Sequence, residues 1–392
     1  MSATAYPRPQ TAPEPQSGPP AWLRILWVMC LLFIFLCAIR GMGTGFKGLG
    51  KDALDSFFAA TSNPFVSLVV GILGTTLVQS SSVTTSMIVA MVAAPGSPLP
   101  IANAIPMIMG ANIGTTVTNT IVALAHIGRP DEFKRAFAAA TCHDFFNFIA
   151  VAILLPLEIA TGLLEKTSLS IAQVIGVGGG GKLPNPVKAS TKAVVKPVKE
   201  ALNDMIESPQ LASIVLVIMS VVVIFISLTY IVRTLRGLAG ARMQVFLTKS
   251  LGANAYVGII VGIIITFAVQ SSSITTSVMV PLAGAGMVTL EQVFPITLGA
   301  NIGTTVTAIL ASMAAPAETA ALAVQIATVH LLFNLVGIAL VYPMTATRQI
   351  PLRAATWLAN VAVKSRKTAI IYVLGLFYGL PAALIAVSKL FS

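Results

Sequence analysis

The chain has 392 residues, of which 56% are hydrophobic and 9% are charged, and its mean hydropathy is +0.89. Soluble domains carry about 25% charged residues, so this composition excludes a soluble globular protein and predicts one that crosses the membrane several times. The formal net charge of +11 does not indicate nucleic-acid binding, because the lysines and arginines are spread over short connecting segments, as orientation signals are. The three cysteines form no CxxC pair and no cluster with histidine, so they indicate small buried residues and not a metal site.

The N-terminal 20 residues contain six prolines among small polar residues, and they lack the basic start and the cleavage site of a signal peptide. This composition predicts a disordered tail, residues 1–20. Residues 21–60 are predicted to form a first transmembrane helix, apolar to about residue 39, and a glycine-rich loop.

A polar Gln-Ser-Ser-Ser run interrupts the next apolar stretch, residues 63–94, near its middle. It consists of Gln79, Ser80, Ser81 and Ser82. Hydroxyl and backbone groups at membrane depth cannot face lipid, so they must face protein, water or a bound solute. The stretch is therefore predicted to fold as a helix, a break and a second helix, either as a re-entrant hairpin or as a broken span.

The following apolar span, at about residues 101–127, carries a Gly-Ala-Asn-Ile-Gly-Thr motif that begins at Gly110. The motif and the residues just after it include Asn112, Thr115 and Thr118. No charged residue occurs between Gln79 and the arginine at position 129. Any solute bound at these motifs would therefore meet hydroxyls, amides and backbone groups.

A charged turn at residues 129–135 is predicted to start the next helix, because its proline and acids suit the positive end of a helix dipole. This helix brings His143 and Asn147 onto one face at i and i+4. Two interpretations stay open: a hydrogen-bonding pair that fastens the helix bundle, or contact with substrate or a proton relay. Asp144 is a functional candidate because acids are rare inside membranes, although the second copy of the motif has Leu331 in its place.

All three motifs return in the same order in the second half of the chain. The Gln-Ser-Ser-Ser run recurs as Gln270, Ser271, Ser272 and Ser273. The other two recur around these residues: Ala300, Asn301, Thr304, Thr307, His330 and Asn334. Chance does not plausibly give three motifs in one order, so the sequence indicates a duplicated unit.

The duplicated unit divides the chain into predicted parts. Repeat 1 covers residues 61–160 and repeat 2 covers residues 249–345. Between them, residues 161–208 are predicted to form an aqueous outer loop, because hydropathy falls and a four-glycine run, residues 178–181, reads as a flexible linker. Residues 209–248 are predicted to form a connecting transmembrane helix with a basic cytoplasmic end, and residues 346–392 a basic loop and a C-terminal transmembrane helix.

One crossing lies between the two repeats, which favours inverted over parallel orientation. The predicted fold is therefore an all-α polytopic membrane protein with two inverted-topology repeats. Their broken or re-entrant helices meet at a site near the membrane midplane, a pattern typical of secondary transporters. A purely structural alternative is that serine, threonine and glycine only let helices pack closely. It does not explain why glutamine recurs at the same place in both copies.

These motifs resemble those of the type II sodium-dependent phosphate cotransporter family. The resemblance covers roughly residues 60–160 and 210–345, and it implies cytoplasmic termini, a large outer loop and symport of Na⁺ with hydrogen phosphate. It implies phosphate binding by both Gln-Ser-Ser-Ser turns, to which the two motif asparagines, Asn112 and Asn301, are added as amide donors. It also implies one Na⁺ site at these residues: Gln270, Ser271, Ala300 (backbone), Thr304 and Thr307. By symmetry, Gln79, Thr115 and Thr118 are candidates for related roles.

The remaining expectations concern partners and location. The accessory candidates are His143, Asp144, Asn147, His330 and Asn334. We expect inorganic phosphate, Na⁺ and the lipid bilayer as partners, with no nucleic acid, no organic cofactor and no enzymatic activity; the oligomeric state stays open. The predicted outer loop has no cysteine and no glycosylation sequon, which favours a bacterial inner membrane.

A site without charged residues balances one divalent phosphate with two Na⁺, so electroneutral transport is expected. Two other functions stay open: Na⁺-coupled transport of another small oxyanion, and a membrane scaffold or channel without coupling.

Overall fold

The structure, a computed structural model, describes residues 20–49, 59, 61–95, 99–174, 186–250 and 255–388. Regular elements in these ranges are helical. The predicted disordered tail, apart from Pro20, and the predicted flexible linker at residues 178–181 lie outside the described residues.

The helices of repeat 1 and of the segment before it follow in chain order: α1 (Ala21–Gly48), α2 (Pro64–Val78), α3 (Ser81–Val92), α4 (Ile101–Thr115), α5 (Val117–Leu124) and α6 (Pro130–Thr161). The middle of the chain forms α7 (Leu163–Val174), α8 (Pro186–Met205) and α9 (Pro209–Ser250). The second half forms α10 (Ala255–Val269), α11 (Ser272–Gly284), α12 (Leu290–Ser312), α13 (Ala320–Val341), α14 (Thr345–Lys364), α15 (Arg366–Leu374), a π-helical turn (Gly375–Gly379) and α16 (Leu380–Ser388).

Seven helical segments of the described chain are long and apolar enough to cross a membrane. They are Trp22–Gly48, Ile101–Leu124, Pro130–Thr161, Pro209–Leu235, Leu290–Ser312, Ala320–Val341 and Arg366–Ala386. The apolar helices α2, α3 and α10 are shorter, as halves of interrupted stretches are. The prediction of an all-α polytopic membrane protein is confirmed.

The predicted break in the first apolar stretch is confirmed, since α2 ends at Val78 and α3 starts at Ser81. The same break separates α10 from α11. The span predicted at residues 101–127 forms one helical segment, Ile101–Leu124. Within it Thr116, which has helical φ and ψ, marks a tightened turn between α4 and α5, because its N–H bonds to the Ile113 carbonyl three residues earlier. The counterpart in repeat 2, α12, is assigned as one regular helix.

The two repeats have the same internal packing. Helix α2 packs against α4 and α10 packs against α12, with a motif glycine at each crossing. A Cβ atom at Gly110 would overlap the Leu68 carbonyl oxygen, and one at Gly299 would overlap the Ile259 carbonyl oxygen. Both crossings therefore need glycine. The inverted orientation of the repeats stays a prediction.

We expect Gly299→Ala to lower the free energy of unfolding by about 1–3 kcal/mol, because the added methyl meets backbone that cannot move aside. Gly128→Ala is the matched control, since a Cβ there meets nothing within 4 Å. Thermal unfolding of the purified variants in detergent measures both. Equal melting temperatures for the two variants would show that the α10–α12 crossing adapts to a side chain.

Two helices occupy part of the segment predicted to be an aqueous loop. Helix α7 packs against α13, and its first turn is held by Glu158, whose carboxylate accepts hydrogen bonds from the backbone N–H groups of Leu164 (2.6 Å) and Glu165 (3.1 Å). Helix α8 packs against α1 and α9, and its buried Val195 lies at that contact. The described parts of this segment are thus held against the membrane helices.

Candidate functional site

Each Gln-Ser pair ends one helix and starts the next. Gln79 and Gln270 both have φ of 57°, in the left-handed region, and they are the non-glycine residues with positive φ in the described ranges. Ser80 and Ser271 then return to extended backbone, and their hydroxyl oxygens accept from the N–H groups of Val83 (3.3 Å) and Ile274 (3.4 Å). A side chain in the left-handed region is strained, and such strain persists where the surroundings enforce it, often at ligand sites.

The two glutamine amides make matching hydrogen bonds. Gln79 Nε2 donates to the Thr76 carbonyl oxygen (2.6 Å), and Gln270 Nε2 donates to the Phe267 carbonyl oxygen (2.7 Å). Gln79 Oε1 accepts from Thr118 Oγ1 (3.2 Å), and the corresponding bond joins Thr307 Oγ1 to Gln270 Oε1 (3.2 Å). Each break is therefore fixed to the helix that carries the Gly-Ala-Asn motif of the same repeat.

Four of the five residues suggested for the Na⁺ site form two hydrogen-bonded oxygen pairs, one within α12 and one between α12 and Gln270. Thr304 Oγ1 lies 2.9 Å from the Ala300 carbonyl oxygen, and Thr307 Oγ1 lies 3.2 Å from Gln270 Oε1. The two threonines are one helical turn apart on α12, so their hydroxyls lie on one face. The fifth, Ser271, follows Gln270 directly and caps α11.

Repeat 1 contains the same two pairs. Thr115 Oγ1 lies 2.9 Å from the Ala111 carbonyl oxygen, and Thr118 Oγ1 lies 3.2 Å from Gln79 Oε1. Carbonyl, amide and hydroxyl oxygens are the groups that coordinate Na⁺ in transporters with broken helices. In the described chain no group of three or more histidine, cysteine, aspartate or glutamate side chains is placed to hold a metal ion.

The two repeats meet at these residues. Thr307 Oγ1, which bonds to Gln270, also lies 3.4 Å from Ser82 Oγ of repeat 1. On the other side of the contact, Asn119 Oδ1 in α5 accepts from Thr276 Oγ1 (2.8 Å) and Ser277 Oγ (3.2 Å) in α11. The structure thus joins the break of each repeat to the motif helix of the other.

A groove of about 540 Å³ leads to this contact between α5 and α11. Its polar lining comes from Thr118, Ser273 and Ser277, and the rest is apolar. None of its lining residues carries a charge. A solute entering here meets hydroxyl groups beside the Gln79–Thr118 pair.

The family model for the Na⁺/Pi-cotransporter matches residues 34–164 and 223–363, which is more than half of the chain. The chain belongs to the Na⁺/Pi-cotransporter family. The two matched segments contain both Gln-Ser-Ser-Ser runs and both Gly-Ala-Asn motifs.

Named relatives in this family include two mammalian proteins. The chain is 34% identical to "Sodium-dependent phosphate transport protein 2B" of Homo sapiens, over 93% of this chain and 65% of the relative. It is 36% identical to "Sodium-dependent phosphate transport protein 2A" of Rattus norvegicus, over 93% of this chain and 68% of the relative. The chain thus spans about two thirds of the length of these relatives. No solved structure gave a significant match.

The serines predicted to bind phosphate differ in their exposure in this member of the cotransporter family. Ser81, Ser82 and Ser272 are buried, whereas Ser273 is half-buried and lines the groove. The motif asparagines do not line it: Asn112 Nδ2 donates to the Ile108 carbonyl oxygen of its own helix (3.2 Å). Asn301 instead hydrogen-bonds to His143 and Asn147.

A buried hydrogen-bond network joins helices of the two repeats. His143 Nε2 donates to Asn301 Oδ1 (2.7 Å), Asn301 Nδ2 donates to Asn147 Oδ1 (3.0 Å), and Asn147 Nδ2 donates to the Asn112 carbonyl oxygen (3.0 Å). This network joins α6, α12 and α4. The second copy differs, because Asn334 Nδ2 donates to the His330 carbonyl oxygen of its own helix (2.9 Å). In both copies the Nδ1 atom of the histidine is buried without a partner.

Asp144 lies next to this network and is fully buried. Its Oδ2 accepts from Tyr372 Oη (2.8 Å) and Thr120 Oγ1 (3.4 Å), whereas its Oδ1 has no hydrogen-bond partner. Thr120 belongs to α5, the continuation of the helix that carries the Gly-Ala-Asn motif. An acid with one unpaired oxygen therefore lies against the motif helix of repeat 1.

Three polar partners of the site, Asn119, Tyr372 and Tyr378, lie outside the repeated motifs. Asn119 could not be found by symmetry, because Ala308 stands at its place in repeat 2. Tyr372 and Tyr378 belong to the last transmembrane segment, outside the repeats, and Tyr378 Oη accepts from Gln79 Nε2 (3.3 Å). The sequence signal for these tyrosines was that each places a hydroxyl group in an otherwise apolar span.

Proposed function

We propose that this protein is a secondary active symporter that couples Na⁺ entry to the uptake of inorganic phosphate, in the form of hydrogen phosphate. The observation that carries the proposal is the duplicated, uncharged pair of helix breaks, each with a glutamine amide bonded to a threonine of the motif helix. The names of the two relatives describe sodium-dependent phosphate transport in those proteins.

Phosphate binding rests on the breaks. The N-termini of α3 and α11 begin at Ser81 and Ser272, and a helix N-terminus offers N–H groups and the positive end of the dipole to an anion. Serine hydroxyls such as that of Ser273 add donors at the groove. Two breaks provide two such ends, which suits a divalent anion.

Na⁺ binding rests on the oxygen pairs. In the proposed arrangement, Gln270, Ser271, Ala300, Thr304 and Thr307 hold one Na⁺, and Gln79, Thr115 and Thr118 hold a second. The positive charge of the ions replaces the lysine or arginine that the site lacks. Because each ligand lowers the desolvation penalty of the other, Na⁺ and phosphate each raise the affinity of the other, and this coupling makes transport Na⁺-dependent.

The deciding test is uptake of radiolabelled phosphate into proteoliposomes with Na⁺ or K⁺ outside. We expect uptake with Na⁺ and none above protein-free vesicles with K⁺. Competition by unlabelled sulfate, arsenate and small carboxylates identifies the preferred oxyanion. If sulfate is the preferred substrate in this competition, the protein is a carrier of another oxyanion. Equal phosphate uptake in Na⁺ and in K⁺ would instead indicate an uncoupled channel or scaffold.

Thr304→Val and Thr307→Val are expected to raise the Na⁺ concentration for half-maximal uptake more than they lower phosphate affinity at saturating Na⁺. Each removes a hydroxyl oxygen from the proposed Na⁺ site with little change in side-chain shape. Na⁺ and phosphate activation curves measure the two effects separately. Thr328→Val is the control, because Thr328 makes the same bond within its own helix as Thr304 does but lies on α13, outside the proposed Na⁺ site. A loss of phosphate affinity with an unmoved Na⁺ curve would assign these threonines to phosphate.

Two Na⁺ per hydrogen phosphate make the proposed cycle electroneutral, because the charges of the transported ions sum to zero. An ionised Asp144 would leave one negative charge unbalanced in a low-dielectric site, and a third Na⁺ would then have a partner. We expect uptake at equal rates with and without an imposed membrane potential. If an inside-negative potential accelerates uptake by the wild type, electroneutrality is rejected. If the same potential has no effect on Asp144→Asn, the third cation is assigned to Asp144.

The proposed location is a bacterial inner membrane with both termini in the cytoplasm. The basic residues that follow the apolar part of α9, at positions 233, 236, 242 and 249, support this orientation. Cysteines introduced near either end and labelled from outside with an impermeant maleimide test it. Labelling in intact cells would place that terminus outside.

A further inference from the structure

A histidine-asparagine motif occurs once in each half of the chain, and both copies lie where helices of the two repeats pack together. Helix α6 packs against α12 at the first copy, and α13 packs against α4 at the second. The first copy consists of His143, Asn147 and Asn301, and the second of His330, Asn334 and Asn112. All six side chains are buried. The two copies therefore contain the same residue types for the same set of bonds.

The two copies differ in the bonds that they form. Those of the first copy join α6 to α12 and to α4. Those of the second copy stay within one helix, because Asn112 Nδ2 donates to the Ile108 carbonyl oxygen (3.2 Å) and Asn334 Nδ2 donates to the His330 carbonyl oxygen (2.9 Å). Asn334 Oδ1 is buried without a hydrogen-bond partner in the described chain. Buried polar groups are nearly always paired, so an unpaired oxygen in a copy that contains the residues for a network requires an explanation.

The groove beside the helix breaks shows a second asymmetry between the copies. Its polar lining comes from Thr118, Ser273 and Ser277. The corresponding residues of the other copy are Thr307, Ser82 and Ser86, and all three are buried. Ser86 Oγ has no hydrogen-bond partner in the described chain, whereas Ser277 Oγ donates to Asn119 Oδ1 (3.2 Å). The structure thus opens the polar face of α11 and closes the matching face of α3.

We propose that the two copies exchange these arrangements during transport. In the opposite state, His330 and Asn334 bond to Asn112. The network of the first copy is then broken, and the face of α3 that contains Ser86 opens in place of the matching face of α11. Each state has one network formed and one broken, so the two states lie close in free energy and a bound ligand can shift the balance between them. The inference rests on the proposed function only in that a transporter needs a second state.

Asn334→Leu and Asn147→Leu test the exchange from opposite sides. Leucine branches at Cγ as asparagine does, but its side chain forms no hydrogen bond. Asn334→Leu removes an amide with an unpaired oxygen from the observed state and a network bond from the opposite state, so we expect it to favour the observed state. Asn147→Leu breaks the bonds that join α6 to Asn301 and to the Asn112 carbonyl oxygen, so we expect it to favour the opposite state. Asn360→Leu is the matched control, because Asn360 is an exposed asparagine on α14.

Single cysteines report which face is open. The background replaces the three native cysteines by alanine: Cys30, Cys37 and Cys142. Ser86→Cys or Ser277→Cys is added to it, and the rate of reaction with a small charged methanethiosulfonate is measured in detergent, where the reagent reaches both sides of the protein. These rates do not depend on which solute is transported. With the network unaltered, we expect Ser277→Cys to react faster than Ser86→Cys by about ten-fold or more.

We expect Asn334→Leu to slow the reaction of Ser86→Cys by about ten-fold, the population shift that the loss of one or two buried hydrogen bonds gives, without slowing that of Ser277→Cys. Asn147→Leu is expected to do the reverse, and Asn360→Leu to change neither rate. An unchanged rate for Ser86→Cys in Asn334→Leu, or faster reaction of both reporters in Asn147→Leu, would overturn the exchange. If Asn147→Leu does not fold, Asn334→Leu decides alone, since it breaks no bond between helices of the observed state.

Phosphate uptake separates this inference from the proposed function. In proteoliposomes, Asn334→Leu is expected to lose most of the Na⁺-driven uptake at an unchanged melting temperature, because a carrier held in one state does not turn over. A merely structural role for Asn334 would not shift the two reaction rates in opposite directions between Asn334→Leu and Asn147→Leu. If the rates shift as expected and the wild type takes up no phosphate, the proposed function fails and the exchange stands. Wild-type uptake by Asn334→Leu would overturn the exchange and leave the proposed function intact.

Discussion

Gln79→Ala and Gln270→Ala are each expected to abolish Na⁺-driven phosphate uptake while the protein still folds and inserts into the membrane. Each amide bonds to a backbone carbonyl three residues earlier and to a threonine hydroxyl of the motif helix. Its removal leaves these groups at the break to water, and it takes away an oxygen proposed for Na⁺. Alanine has the same backbone restriction at positive φ, so the change isolates the amide.

Radiolabelled phosphate uptake at equal membrane levels measures this effect. Gln173→Ala is the matched control, because Gln173 is an exposed glutamine on α7, outside both repeats. It is expected to transport like the wild type. Normal uptake in both Gln79→Ala and Gln270→Ala would remove the helix breaks from the transport site, whereas loss in only one would show that the two repeats contribute unequally.

The positions of the breaks could be predicted from the sequence for a physical reason. A Gln-Ser-Ser-Ser run in the middle of an apolar stretch cannot continue a lipid-exposed helix, and its recurrence at Gln270 excluded an accident of composition. The structure confirms helix, break and helix in both places and puts both glutamines at the same φ. Identical local sequence gave identical local geometry here.

Local sequence did not decide every detail of the helices. Residues 114–118 and 303–307 are identical, yet the helix tightens at Thr116 and is regular through Thr305. The copies first differ at Asn119, which accepts from two hydroxyls of α11, and at the corresponding Ala308, which has no polar side chain. Contacts with another repeat cannot be inferred from one segment alone, so this difference between the copies could not be predicted. The same holds for Tyr372, which reaches Asp144 from the last span.

His143→Ala is expected to reduce the free energy of unfolding by about 1–3 kcal/mol more than His330→Ala does. Both histidines are buried and occupy corresponding positions, so the two variants remove the same side-chain volume from buried sites. Only His143 donates to the asparagine of the other repeat, Asn301 Oδ1, and its loss leaves that buried oxygen unpaired. The repeat thus supplies its own control, and thermal unfolding in detergent compares the pair. Equal melting temperatures would show that the bond from His143 contributes nothing to stability.

His143→Gln separates the two roles that the His143–Asn147 pair could have. A glutamine amide can donate a hydrogen bond to Asn301 Oδ1, but it cannot exchange a proton near neutral pH. If the pair fastens the bundle, we expect His143→Gln to restore most of the melting temperature and of the phosphate uptake that His143→Ala loses. The dependence of uptake on pH should then match that of the wild type. A proton relay needs the titratable ring, so a stable His143→Gln variant without uptake would contradict the fastening role. Because the bond joins α6 of repeat 1 to α12 of repeat 2, next to the carbonyl of Ala300, we expect fastening to act on transport through the proposed Na⁺ site.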